Sequence, residues 1–412
     1  MPNKDATSAS LFSGNSSPDH RKQGILPFQE IRELIDNGKI RSPVQICEEQ
    51  LQPASLDLRL GRVAYRVEAS FLPSRSSTIT ARIRALRVDE IDLSEPALLS
   101  RGHVFIIPLI ESLSLPSDVS GKANPKSTTG RLDIFTRLMT EGGGEFEEVP
   151  TGYRGELYVE VVPRTFPIIV RAGARLNQLR FWRGSPQRDD EYLRNLDRRQ
   201  NLVYYEARNG SKCPDGGPAN TVVRAPARIG NGLRLTVDLQ GRERHSIIAY
   251  KAKRKAQAID LSAIGAYDPA EYWEQITAPK VERFVLQPGD FYLLASKERI
   301  GVPPDHAAEL EQYDPSLGEF SVHYAGFFDP GFGYGLEGEI KGTRAVLEVR
   351  AHEVPILLED EQTVGRLNYY KMADVPEKLY GQGIGSSYQR QGLALSKQFK
   401  PVESARSAVP KS

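Results

Sequence analysis

Apolar positions along the chain follow two rhythms. Residues 27–37, PFQEIRELIDN, put Ile31, Leu34 and Ile35 at helical spacing, with Pro27 suited to a first turn and Asn37-Gly38 to a stop, which predicts a helix. In residues 52–61, Leu56, Leu58 and Leu60 alternate with Asp57 and Arg59, the two-residue period of a strand. Short β-rich runs recur at 104–109, 156–162, 166–170 and 175–181, separated by Gly, Pro and Asp. Many short strands and few helices predict a mainly β chain of the barrel or jelly-roll kind. Residues 1–23 carry Ser, Asn, Asp and Pro with almost no apolar period and read as a disordered leader. From 183 to 230 polar, Gly- and Pro-rich sequence returns, including Lys212-Cys213-Pro214-Asp215-Gly216-Gly217-Pro218, as expected of a linker or long insertion.

Past that stretch the pattern starts again. Leu235-Thr236-Val237-Asp238-Leu239-Gln240-Gly241 echoes Ser55-Leu56-Asp57-Leu58-Arg59-Leu60-Gly61, and Ile259-Asp260-Leu261-Ser262 echoes Ile91-Asp92-Leu93-Ser94. Val302-Pro303-Pro304-Asp305 repeats Leu115-Pro116-Ser117-Asp118, Glu348 in LEV repeats Glu160 in VEV, and Arg366-Leu367-Asn368 repeats Arg175-Leu176-Asn177. The last three offsets are 302−115=187, 348−160=188 and 366−175=191. Matched order at nearly constant spacing implies duplication. The expected organisation is a leader (1–23), a first domain (24–200), a linker (201–230), a second domain with a C-terminal tail (231–400) and a disordered terminal segment (401–412).

Charge narrows the possible partners. The 54 Lys and Arg nearly balance the 53 Asp and Glu, so no global field attracts nucleic acid or an anionic membrane, and any anion site is local. No apolar run approaches membrane-spanning length and no apolar signal segment opens the chain, which predicts a cytoplasmic protein. Only Cys47 and Cys213 are present, too few for a disulfide framework.

The local anion site is readable in residues 120–134, SGKANPKSTTGRLDI. Lys126, Ser127, Thr128, Thr129, Gly130 and Arg131 pack two cations, three hydroxyls and a glycine into six residues. Small and hydroxylic residues let backbone N–H groups approach phosphate oxygens, while Lys126 and Arg131 add charge. It is not a P-loop, because Gly121-Lys122 is followed by Ala123 and lacks the upstream glycine. The second half has no such cradle, since residues 313–319, YDPSLGE, stand there instead. Conversely, the second half carries AGFFDPG with Asp329, where the first has EEVPTG with Pro150.

On these residues the chain resembles the dCTP deaminases of the trimeric dUTPase superfamily, in a double-domain form. The carriers are EIRELIDNGKI, ASLDLRLG, LPSD before KSTTGR, and GYRGELYVEVV followed by ARLNQLRF. In the second half they are FVLQPGDFYLLA, FFDPGFGYG, AVLEV, and residues 388–392, YQRQG, with Ser396. The resemblance implies two tandem dUTPase-like β-barrel or jelly-roll domains with short helices, assembling about a three-fold axis with active sites between neighbouring domains. It implies Ser127 and Arg131 as catalytic cradle residues, with Lys126 in the place of a phosphate-binding arginine and Thr128 as a further substrate donor. Glu160 and Glu348 both match the catalytic glutamate. Asp329 matches an aspartate near the sugar, Ala325 a backbone contact, and Tyr380 and Gln391 tail residues over the phosphates. Ser387 stands where the family often has a basic residue.

The expected reaction is hydrolytic deamination of dCTP to dUTP and ammonia. It needs water at C4, a group that takes the water's proton and returns protons to N3 and the leaving amine, and donors for developing charge. One buried carboxylate with a pKa lifted toward neutrality can do this. A glutamate in a strand often faces solvent, but its recurrence in VEV and LEV favours a site. Zinc deaminases need H-x-E and P-C-x-x-C, and neither occurs, so His103, His245 and His323 read as packed or surface residues. Magnesium is expected as the counterion of the triphosphate, with no zinc. The expected partners are dCTP and dTTP as an inhibitor, without nucleic acid or membrane, in a three-fold homo-oligomer. Two further functions stay open: dUTP diphosphohydrolysis, alone or following deamination, and nucleotide-binding regulation without catalysis. Each half retains what the other lacks, so a shared site using Glu348 is expected, with Glu160 as the alternative.

Overall fold

The computed structural model describes residues 22–72, 77–185, 189–206, 222–241, 246–278, 283–311, 320–322, 326–351, 353–381 and 392–402. The opening helix forms at Phe28–Asp36, entered from Pro27, and buries Phe28, Ile31 and Leu34. Two antiparallel sheets make the first half. In one, Arg175–Arg183 pairs with Val119–Pro125 on one side and with Gly24–Ile25 and Leu56–Arg59 on the other. The second orders Arg87–Asp92, Val63–Val67, Val104–Ser114, Arg154–Pro163 and Ile134–Thr140. Leu56, Leu58, Phe105, Val159, Leu179 and Phe181 belong to one core cluster, as the strand alternation requires.

The second half repeats this plan. Glu160 stands opposite Ile106 and Glu348 opposite Leu293, so the two glutamates are structurally equivalent. Two of the expected echoes are shifted by three residues. Glu111 Oε2 accepts the Arg59 N–H and Glu298 Oε2 accepts the Thr236 N–H, both at 2.8 Å, so the leading strands correspond at 236−59=177, not at the 241−61=180 of the glycine match. The returning strands Arg175–Arg183 and Thr363–Lys371 correspond at 363−175=188 instead of 191. A repeated Arg-Leu-Asn triplet gave a false register; the ladder partners decide it.

Two of the longer helices escaped the sequence reading. Ile79–Leu86 lies over the outer face of the first half, and Asp190–Gln200 buries Leu193 and Leu196 in the second-half core. Strand Val203–Glu206 pairs with Phe291–Ile300, so residues 189–206 pack with the second half and not with the first domain to which composition assigned residues up to 200. Polar composition concealed this because the helix is amphipathic with few apolar residues.

Several contacts among the described residues fuse the halves. Ile168–Val170 of the first pairs in parallel with Ile259–Asp260 of the second. Phe166 meets Trp273 and Tyr272 at ring distances of 5.5 and 5.8 Å, and Phe399 closes on both from the C-terminal segment. Arg180, buried in the returning strand, donates to Ala308 O (3.1 Å) and to Asp329 Oδ1 (3.2 Å), and its guanidinium lies 4.0 Å from the Phe327 ring centroid. Lys122 pairs with Glu309 at 2.8 Å beside it. No described helix is long and apolar enough to cross a membrane.

Candidate active site

Strand Val119–Pro125 ends in a proline, which has no N–H to extend the ladder, and the chain turns through Lys126 into a single helical turn, Ser127–Gly130. The carbonyl of Leu176 holds this turn from below, accepting both Lys126 N–H (2.9 Å) and Thr129 Oγ1–H (2.7 Å). Ser127 is exposed and Thr128 half-buried, so both hydroxyl-bearing residues are accessible at the mouth. The Lys126 ammonium is ion-paired with the buried carboxylate of Asp57. Arg131 is buried and donates to Ala394 O at 3.0 Å, and Ser396 Oγ donates to Thr128 O at 3.0 Å. The C-terminal segment therefore straps the cradle from behind.

Glu348 comes from strand Thr343–Ala351 of the second half and meets the cradle of the first. A Cβ added to Gly130 would lie 3.0 Å from Glu348 Oε1 and 3.3 Å from Oε2, so only glycine lets the carboxyl approach the turn undisturbed. Burial pushes the Glu348 carboxyl up to about 8; Arg131 opposes that rise and Asp133 adds to it. Such a group both accepts and donates a proton near neutral pH. Asp133 is itself fixed by Thr165 Oγ1 at 2.6 Å and by Arg350. Cradle and glutamate are thus brought together within one chain.

Glu160 is not part of this gathering. Its Oε1 accepts two hydrogen bonds from Arg137, Nε at 3.0 Å and an Nη at 2.6 Å. That guanidinium lies 3.7 Å from the Phe146 ring centroid and is also bonded to Ser70. Ile79 and Ile83 of the Ile79–Leu86 helix cluster with Ile106 and Tyr158 on the neighbouring strands. A packed cation and a helix thus stand where the second half's equivalent position faces a cradle.

Asp329 sits on the turn after Phe327–Phe328, where Arg180 holds it. Burial raises its pKa and Arg180 draws it back down, with Asp57 and Lys126 near enough to act on it. Tyr380 docks on the same turn, its N–H donating to Pro330 O at 2.9 Å and its ring 5.3 Å from Phe332. Beside the cradle, Asn177 lies opposite Pro125 with neither amide atom hydrogen-bonded, and Asp57 Oδ1 also lacks a partner. Buried polar atoms left open beside a cationic turn are what a site awaiting a polar ligand presents. Sequence reasoning missed Asn177, Asp57, Asp133 and Arg180; Asp57 and Arg180 alternate with core residues and so read as solvent-facing. Ala325, Gln391, Ser387 and residues 313–319 lie outside the described residues.

Comparison with known proteins gives a consistent result. The family model for the 2'-deoxycytidine 5'-triphosphate deaminase N-terminal domain matches residues 22–185, and that for its C-terminal domain matches residues 218–399. The dUMP-forming dCTP deaminase of Beutenbergia cavernae is 31% identical over 174 residues, 40% of this chain and 86% of that protein. The protein of the same description from Dictyoglomus thermophilum is 26% identical over 172 residues, 41% of this chain and 86% of that one. The crystal structure of 2'-deoxycytidine 5'-triphosphate deaminase from Agrobacterium tumefaciens aligns with a TM-score of 0.77 at 43% identity, covering 85% of this chain and 100% of that one.

Proposed function

The chain belongs to the dCTP deaminase family, and on that premise we propose that it hydrolyses dCTP to dUTP and ammonia at one site built from both halves. The observation that carries the reading is the approach of Glu348, its carboxyl near-neutral, to the Gly130 turn of the cradle. Water adds to C4 of cytosine as Glu348 takes its proton. Glu348 passes that proton to N3, giving a tetrahedral intermediate, then takes the proton of the new C4 hydroxyl and delivers it to the amine as the C4–N bond breaks, C4=O forms and ammonia leaves. Arg131 and the Ser127 hydroxyl stabilise the charge that develops on the attacked ring, while Lys126 and Thr128 hold phosphate oxygens. On this reading Asp329 serves the sugar side, and Tyr380, docked on the same turn, serves the phosphates. Magnesium accompanies the triphosphate, held by substrate oxygens and waters, and no zinc takes part.

The reading extends to a cytoplasmic enzyme inhibited by dTTP and to chains associating about a three-fold axis. Because one chain brings Glu348 to the cradle, that association serves stability or regulation and does not complete the catalytic pair. A second reading, release of dUMP and pyrophosphate after deamination, is favoured by the dUMP-forming names of the relatives. Pro150 and the Arg180-bound Asp329 weigh against it, since neither is a carboxylate free to orient water. Incubation of the purified protein with dCTP and magnesium, following ammonia, dUTP, dUMP and pyrophosphate together, tests both. Equal ammonia and dUTP is expected. Equal ammonia, dUMP and pyrophosphate would establish the second reading, and nucleotide binding without ammonia would overturn the first.

A further inference from the structure

A hollow of about 210 Å³ opens between the halves, away from the cradle. Arg101, Arg164 and Thr165 line it from the first half and Arg254, Asp290 and Arg350 from the second. The local charge is lopsided. Asp290 is shared by Arg254 and Lys251, both at 2.7 Å, and Asp133 is taken by Arg350. Arg101 donates to the carbonyl of Arg254 at 3.0 Å, and the Arg164 guanidinium lies 4.1 Å from the Phe135 ring centroid. Neither has a carboxylate partner among the described residues. Four arginines and one carboxylate therefore line the recess, with Lys251 and Asp133 paired just behind them, an arrangement that repels itself unless an anion enters. Its volume falls below the roughly 300–1,000 Å³ of pockets for whole small-molecule ligands, so it suits a short phosphate chain. Planar guanidinium groups bind phosphate oxygens in bidentate fashion.

We propose that this hollow is a second anion site, taking a di- or triphosphate group, and that its occupation slows deamination. The route is short. Arg350 follows Glu348 by two residues and projects from the same face of the strand, and its partner Asp133 follows Arg131 by two. The Asp133–Arg350 pair therefore ties the cradle to the glutamate strand. A phosphate chain that recruits Arg350 competes with Asp133 and loosens that tie.

The coupling rests on the deamination reading, whereas binding does not, so the two are measured separately. Calorimetric titration of the full chain carrying Lys126→Ala, which removes the cradle's phosphate-holding cation, with inorganic pyrophosphate and without substrate should give one binding event, lost on adding Arg101→Gln and Arg164→Gln. In the otherwise unaltered enzyme, pyrophosphate should lower kcat at saturating dCTP about fivefold or more, within the usual range of allosteric coupling. The double variant should keep its basal kcat and lose that response. Arg101→Gln alone, an exposed substitution, serves if the double variant folds poorly. Parallel titrations with tripolyphosphate and ATP distinguish a free phosphate chain from the tail of a nucleotide. Purely competitive inhibition by pyrophosphate, equal in enzyme and variants, would overturn the proposal, as would binding unaffected by both substitutions.

Discussion

Replacing Glu348 by glutamine separates catalysis from stability in a way that only a proton-carrying buried carboxyl allows. The amide keeps the size and hydrogen-bonding shape of the acid but cannot shuttle a proton, so Glu348→Gln should lower kcat by at least about 10³-fold with dCTP still bound. Stability should move the other way. Raising a carboxyl from 4.5 to about 8 corresponds to roughly 4–5 kcal/mol of preference for its neutral form. Between those values the folded chain holds a proton that the unfolded chain has released, so this group's contribution falls as pH rises through the window and its loss is complete above about 8. The variant does not titrate there. Urea denaturation of both proteins at pH 5, 7 and 9 should therefore show the variant gaining on the parent by up to roughly 4 kcal/mol from the lowest pH to the highest. Glu160→Gln provides the contrast. It leaves Arg137 without its buried partner and should cost about 3 kcal/mol of stability, while turnover per folded molecule stays near normal. An inactive Glu160→Gln beside an active Glu348→Gln would place the site in the first half alone and refute the shared-site reasoning. Parallel stability curves for Glu348→Gln and the parent would refute the buried-carboxyl assignment.

Gly130→Ala should leave stability within about 1 kcal/mol, because the position is helical, yet displace Glu348 by a few tenths of an ångström and lower kcat about tenfold, read by steady-state ammonia release. Arg131→Ala should cost about 2 kcal/mol or more in kcat/KM, since it removes a charged donor from a buried site; near-normal turnover would reduce the KSTTGR turn to a surface feature. Dialysis against a zinc chelator, followed by magnesium, should leave deamination intact, and activity recovered by zinc alone would overturn the mechanism.

The strand period of Leu56–Leu60 and the opening helix were legible because burial imposes periodicity directly on the sequence. The cradle was legible because its chemistry is local, six consecutive residues. The docking of the halves was not, because Arg180, Asp329, Asp133 and Arg350 are distant in sequence and each reads alone as an ordinary polar strand or turn residue. Register failed for a related reason: a triplet such as Arg-Leu-Asn can recur by chance, whereas Glu111 and Glu298 fix equivalence by the backbone N–H each one accepts.

The two halves keep different parts of the site, and their being joined in one chain bears on why. In a ring of identical domains every domain supplies both cradle and glutamate, so neither can be lost. Once two domains are joined and one junction is fixed within the chain, only the first domain's cradle and the second domain's glutamate meet, and the other copies are released from that demand. Glu160 is instead held in an ion pair with Arg137 beneath the Ile79–Leu86 helix. Across the junction the change runs toward complementarity, with Lys122 and Arg180 of the first half meeting Glu309 and Asp329 of the second. Lys122 and Glu309 stand at equivalent positions, since 309−122=187 matches the strand offset, so identical domains would have set like charges against each other's copies there. Opposite charges at that position favour the heterotypic junction, the one that sets Glu348 against the Gly130 turn.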